Sequence, residues 1–245
     1  MKYNILGVPV DAVTMGEAVE MAERMLSNGR QNIIFTPNPE ILLEASRDDE
    51  YRAVLQRADL ALPDGAGLVL FGRFLGAPFR GRVAGVDFMV KLCELAAKHE
   101  QKIFLLGGEN CVAGRTVTVL KKQFPDLQIA GWSEDIQYHR HSERSEESDI
   151  RQTDILFVAL GSPKQERWIR DNLSRLPSVK IAMAVGGAFD MISGDLPRAP
   201  NFLRKIGLEW LWRFALEPKK RWKRAFNAAI VFPVKAIQNK VFQNL

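Results

Sequence analysis

The sequence predicts an α/β fold: a Rossmann-like open, mostly parallel sheet with helices on both faces, followed by a helical, basic C-terminal appendage. Three observations carry this. Short β-rich runs alternate with helical stretches through most of the chain, the pattern of an open parallel sheet. Those runs are apolar throughout rather than alternating, as in parallel strands covered on both faces. Charge then divides the chain. From Arg198 to Leu245 there are eleven Lys or Arg against Glu209 and Glu217, a net +9, so the rest carries −4 of the overall +5.

Taken in order, Thr14-Met15-Gly16-Glu17 has the form of a capping box and opens a helix that runs to about Ser27. The first buried strand is 32–36 (NIIFT). Asn38-Pro39 then supplies an N-cap with proline at the first helical position. Further strands follow at 59–62 (DLAL), 102–106 (KIFLL), 154–160 (DILFVAL) and 180–185 (KIAMAV). The polar stretch 138–151 (YHRHSERSEESDIR) has almost nothing apolar to bury and reads as an exposed loop. His139 and His141 within it read as a solvated pair rather than metal ligands, since no third ligand lies nearby. The expected division is a core over 1–197 and an appendage over 198–245. In the appendage Leu203, Ile206, Trp210, Leu211 and Phe214 recur at helical spacing up to Glu217-Pro218. A second amphipathic run places Trp222, Phe226, Ala229, Ile230, Ile237 and Val241 on one broad face.

Composition narrows the class. The 245 residues are 47% hydrophobic and 26% charged, as in a well-packed globular protein. The two cysteines, Cys93 and Cys111, form neither a CxxC pair nor a disulfide framework, which fits a reducing cytoplasm. The first residues lack the apolar core of a secretory signal. No stretch approaches the roughly 18–20 apolar residues of a spanning helix. The basic amphipathic tail suits a membrane interface, apolar side down and Lys and Arg toward lipid headgroups; simple packing on the body is the alternative.

Ligands of an open parallel sheet bind beyond the carboxyl ends of its strands. Turn-rich strings fall at those ends: Thr36-Pro37-Asn38-Pro39, Pro63-Asp64-Gly65-Ala66-Gly67, Gly107-Gly108, Gly161-Ser162-Pro163-Lys164-Gln165-Glu166 and Gly186-Gly187-Ala188-Phe189-Asp190. None is a P-loop or a full GxGxxG, which speaks against ATP and nicotinamide chemistry. Asp64 stands out. A strand-end carboxylate is placed to take a proton from an attacking hydroxyl, and equally to cap the helix after Gly65; local sequence leaves both readings open. Asp190 is open in the same way, as a substrate ligand or a loop-bracing carboxylate. Cys111 is expected to start a helix, with no histidine near in sequence to activate it.

The order of these strings resembles one family. TPNPEIL from Thr36, PDGAG from Pro63, RVAGVDF from Arg82, GSPKQERW from Gly161, and VGGAFD through RAP to GLEWLWR together resemble the WecG/TagA/CpsF glycosyltransferases across the whole chain. The resemblance implies transfer of a sugar from a UDP donor to an undecaprenyl-diphosphate-linked acceptor at the inner face of the cytoplasmic membrane. N-acetylmannosamine transfer to lipid-linked N-acetylglucosamine, an early step of wall teichoic acid assembly, is the expected activity. Position by position it implies a catalytic base at Asp64 and pocket residues at Thr36, Asn38, Arg82 and Gln165. It also implies a membrane-docking appendage whose arginines, Arg213, Arg221 and Arg224, enter the site.

The chain contains no DxD motif for a metal. Charge on the departing UDP is therefore expected to fall to arginines, helix N-termini and the backbone donors of Gly186-Gly187 and Gly161-Ser162. This gives a metal-independent, cofactor-free, inverting displacement by a peripheral enzyme. Related donors (UDP-N-acetylmannosaminuronate, UDP-glucose or UDP-glucuronate) fit the same pattern. A non-enzymatic protein binding an anionic polymer is the competing class, but the tail's apolar face argues against nucleic acid. Without a membrane, a tail that leaves the body would uncover an apolar body surface through which the chain could form a homo-oligomer.

Overall fold

A computed structural model describes residues 1–134 and 150–200, and of the C-terminal stretch 202–203, 207, 209–216, 218, 222 and 226–243. It contains a six-stranded, wholly parallel sheet in the order β4-β3-β8-β7-β5-β6. The strands are β3 (Asn32–Phe35), β4 (Leu60–Ala61), β5 (Lys102–Gly107), β6 (Gln128–Ser133), β7 (Ile155–Ala159) and β8 (Ile181–Ala184). Five of the six lie where the apolar runs predict strands. The edge strand β6 was not expected: its residues are mostly half-exposed, so no apolar run marks it.

The reason the central strands are apolar on every residue is visible in the packing. Alternate side chains enter two separate cores, one on each face. Phe35, Phe104, Leu156 and Ala182 point to one. Their neighbours Ile34, Ile103, Ile155 and Ile181 point to the other. The first face is covered by α2 (Pro39–Ala45), α3 (Asp49–Leu55) and α7 (Lys164–Asn172); the second by α1 (Met15–Ser27), α5 (Gly85–Lys98), α6 (Val112–Gln123) and α8 (Ala188–Ser193).

Local chemistry sets the helix starts as expected. The Thr14 side chain accepts from the Glu17 N–H while Glu17 accepts from the Thr14 N–H, a complete capping box. Asn38 Oδ1 accepts from the Glu40 and Ile41 amides, 3.0 Å each, with Pro39 at the first position. Cys111 precedes α6 in a left-handed conformation, and its N–H donates to Glu134.

An antiparallel hairpin, β1 (Lys2–Ile5) and β2 (Val8–Asp11), opens the chain and was not foreseen. Its two-residue turn, Leu6-Gly7, has φ of 53° and 85°. That is the geometry of a tight hairpin turn, built without the usual Asn-Gly signal. The hairpin is fastened beside the edge strand β4 by buried Asp11, which accepts from the Ala61 N–H at 2.9 Å.

The remaining helices are α4 (Ala66–Phe74), α9 (Glu209–Leu216) and α10 (Phe232–Gln243), the last preceded by one π-helical turn, Asn227–Val231. In the tail's second amphipathic run, Trp222, Phe226, Ala229, Ile230 and Ile237 are all exposed. Phe232 and Ala236, outside that group, are buried, with the Phe232 ring edge-on to Phe71 of α4. Phe226, Ile230, Val234 and Ile237 are exposed on the other side. The helix therefore packs on the body and also displays an apolar stripe. Among the described residues no helix is long and apolar enough to cross a membrane. The stretch 138–149, with His139 and His141, lies outside the described residues; Ile150 is buried.

Candidate active site

The carboxyl edge of the sheet gathers the strand-end strings. The loop after β4 is tied down by its backbone: the Asp64 N–H donates to Pro37 O and the Val83 N–H to Pro63 O, both at 3.0 Å. Three loops, those following β3 and β4 and that preceding α5, thus form one unit. Thr36 sits against the start of α5, its Cγ2 only 3.0 Å from where a Cβ on Gly85 would lie. Any larger residue at Gly85 would displace Thr36.

Within this unit the Asp64 carboxylate is held from two sides. Its Oδ2 accepts from the Gly85 N–H at 3.1 Å, and Arg82 Nε lies 3.4 Å from its Oδ1. The cap reading of Asp64 is met here in altered form. The helix after it, α4, begins at Gly65 with no side-chain cap. Asp64 instead caps α5, whose first residue is 21 positions away. A helix N-terminus favours a negative charge, so the carboxylate is oriented, with its other oxygen on the side of Arg82.

Arg82 spans two acids. Its Nη2 donates to Glu209 Oε2 at 2.5 Å, while Asp64 receives only the longer approach of Nε. Burial acts to lower the guanidinium's pKa, but Asp64, Glu209 and Asp87 outweigh it and hold Arg82 above the ordinary arginine value. Asp87 in turn accepts from Arg198 Nη1 at 2.7 Å. Charges of alternating sign thus run from Arg198 to Asp64. Glu209 is deeply buried, and sequence reasoning counted it only as a charge of the tail. The clue available was its place within GLEWLWR; its burial depends on tertiary packing.

Gln165 lies in the first turn of α7, beyond the end of β7, a strand three places from β4, or about 14 Å at a strand spacing of ~4.8 Å. Its amide is spent on the protein. Oε1 accepts from the Gly186 N–H at 2.9 Å, and Nε2 donates to Glu166 Oε1 at 2.9 Å and to Ser162 Oγ at 3.3 Å. One backbone donor expected to face phosphate, that of Gly186, is therefore engaged by Gln165. Gly187 begins the turn of α8. Burial raises the pKa of Asp190, also in α8, and Asp195 adds to this against Arg115.

Beneath Gln165 lies a polar cluster that the sequence did not reveal. Glu166 is buried and accepts from Ser162 Oγ at 2.7 Å. Its Oε2 and the buried Tyr51 hydroxyl make no hydrogen bond. Burial pushes Glu166 above the usual carboxylate range, against the hydrogen bonds from Gln165 and Ser162. Burial, then the nearby Glu166 charge, likewise push the Tyr51 phenol up.

Thr36, Asn38, Asp64 and Arg82 are therefore gathered at one end of the crevice, and Gln165 with Gly186, Gly187 and Asp190 at the other. Asn38 has a structural duty already, as the cap of α2. Arg213 lies in α9, but its side chain, like Arg221 and Arg224, falls outside the described residues. Among the described residues no group of three His, Cys, Asp or Glu is placed to hold a metal ion.

The carboxyl edge of an open parallel sheet, where an acid and an arginine stand here, is where α/β folds bind their ligands. The chain belongs to the WecG/TagA/CpsF glycosyl transferase family, whose model matches residues 3–245. Among curated relatives, it is similar to N-acetylglucosaminyldiphosphoundecaprenol N-acetyl-beta-D-mannosaminyltransferases. The protein of that name from Bacillus spizizenii is 36% identical over 81% of this chain and 76% of its own length. Its Bacillus subtilis counterpart is 35% identical over 78% and 74%. A Staphylococcus aureus counterpart is 31% identical over 91% and 86%.

Proposed function

We propose that the protein transfers N-acetylmannosamine from UDP-N-acetylmannosamine to N-acetylglucosaminyl-diphosphoundecaprenol, inverting the anomeric centre and using no metal. The relatives' shared activity supports the donor sugar and acceptor. The observation that supports the mechanism is Asp64, a strand-end carboxylate fixed by the Gly85 N–H beside Arg82.

In this reading Asp64 takes the proton from the acceptor hydroxyl as its oxygen attacks the anomeric carbon, help worth about 10²–10⁴-fold. The C1–O bond to UDP breaks, and the leaving diphosphate meets arginines rather than a metal. Residues 198–245 act as a peripheral membrane appendage on the cytoplasmic face. Their net +9 supports attraction to anionic lipid. The exposed Trp222, Phe226, Ile230, Val234 and Ile237 supply an apolar side for the interface.

The experiment is a panel of UDP-sugars offered with the lipid-linked acceptor, with and without a chelator. The expected result is turnover with UDP-N-acetylmannosamine that the chelator leaves unchanged. Preference for a uronate or glucose donor would reassign the substrate, and loss of turnover with chelator would overturn metal independence.

A further inference from the structure

We infer that one edge of the Arg198 guanidinium is a binding fork for a substrate diphosphate, with the departing UDP as its first candidate. This deepens the metal-free transfer proposed above and rests on it.

Arg198 opens the basic C-terminal stretch, in the RAP string that neither the base nor the pocket has so far used. Its backbone is held in place. The Leu196 N–H donates to Asp190 O at 2.8 Å, Pro197 and Pro200 fix φ on either side, and Ala199 is buried. The side chain reaches α5, where Nη1 donates to Asp87 Oδ1 at 2.7 Å. The other edge is different. The side chain as a whole is partly exposed, yet Nε and Nη2 are sealed from solvent. Neither has a hydrogen-bond partner among the described residues. Their N–H groups are parallel, and form the edge with which a guanidinium grips two oxygens of one carboxylate or phosphate. Buried charged donors without acceptors are a costly defect in a fold. Beside a substrate crevice, an anionic ligand is the acceptor that such an edge fits.

The place suits a leaving group. Asp87 lies in the first turn of α5, two residues beyond Gly85, whose N–H holds Asp64. Two helical residues rise only about 3 Å, so Arg198 stands one acid beyond the pair of Asp64 and Arg82. In an inverting displacement the base and the leaving group work on opposite faces of the sugar. The group that receives the diphosphate is therefore near the base but not on it. Arg82 is engaged by Asp64 and Glu209, whereas Arg198 keeps a whole edge for an incoming anion. Shielded from water, that edge acts on developing charge more strongly than an exposed arginine would. The two proposed substrates carry diphosphates as their anionic groups, one each, which fixes the class of ligand. The donor's is favoured because it gains charge as the C1–O bond breaks.

The test is calorimetric binding of UDP and UMP to the full chain, with a chelator present throughout. UMP lacks the β-phosphate, so the ratio of the two affinities reports what the diphosphate adds. Arg198→Lys keeps the charge but not the fork. It should weaken UDP about tenfold and UMP less than about twofold. Arg198→Gln, which also loses the charge, should weaken UDP further, and serves the comparison if the Lys variant does not fold. A second arm measures KM for the lipid-linked N-acetylglucosamine acceptor. A rise confined to that KM, with native UDP binding, would keep the fork and assign it to the acceptor's diphosphate. Equal losses for UDP and UMP would make Arg198 a structural brace. Native binding of both, with a native acceptor KM, would leave the fork without a ligand. Either of these two results overturns the inference. A native chain that binds UDP no more tightly than UMP would sink the metal-free reading itself, and the acceptor arm alone would then decide Arg198.

Discussion

Two buried or half-buried acids near the crevice are held in opposite ways. Asp64 has a helix N-terminus and an arginine beside it, whereas Glu166 is enclosed and receives only neutral donors. Burial raises the Glu166 pKa above its ordinary 4.5. Between the two values the unfolded chain binds fewer protons than the folded one. The contribution to stability is therefore fully present below the ordinary value and is lost as pH rises through the folded one. Glu166→Gln should remove that loss, so its denaturation midpoint should fall less with pH above about 4.5 than the native midpoint does. An unchanged pH slope would contradict this. Asp64 was legible because a carboxylate after a short apolar strand is visible in sequence. Its true cap partner was not, since Gly85 becomes its neighbour only when β4 and α5 are brought together. Glu166 and Glu209 escaped for a related reason: nothing in a charged residue's local sequence announces that it will be buried.

At the scale of elements, the strongest sequence signals were those in which a local hydrogen bond and the hydrophobic pattern agree. Asn38-Pro39 is such a case, and its role as a cap is separable from any role toward substrate. Asn38→Ala should lower unfolding free energy by about 1 kcal/mol, measured by equilibrium denaturation. No loss would mean that α2 is held by its buried Ile41, Leu42 and Leu43 alone. The five apolar strands were legible because each is buried on both faces. The hairpin β1–β2 and the edge strand β6 were not. The hairpin's strands are only four residues long, β1 mostly exposed and β2 mostly buried, and it turns on Leu6-Gly7. Strand β6 lies half in solvent, and its register against β5 shifts near Ile103. Edge elements take their form from neighbours rather than from their own composition.

For the molecule as a whole, the tail's charge was legible by counting, but the seating of Phe232 and Ala236 in the body was not. Helical spacing grouped Phe226, Ile230 and Ile237 as one face. The π-helical turn at Asn227–Val231 precedes a helix whose Phe232 and Ala236 are seated in the body, opposite the exposed stripe. One segment is thereby both part of the packed body and a surface suited to lipid, with Leu70 and Phe74 of α4 also exposed. It also carries α9, whose Glu209 reaches Arg82. The Arg82–Glu209 pair thus ties the C-terminal stretch to the loops around Asp64. The most direct measurement is the rate at which the Asp64→Asn chain transfers N-acetylmannosamine to acceptor presented in anionic vesicles. The amide can still accept from the Gly85 N–H, so the fold should be kept while kcat falls by about 10²–10⁴-fold. A rate near that of the native chain would contradict the assignment of Asp64 as the base.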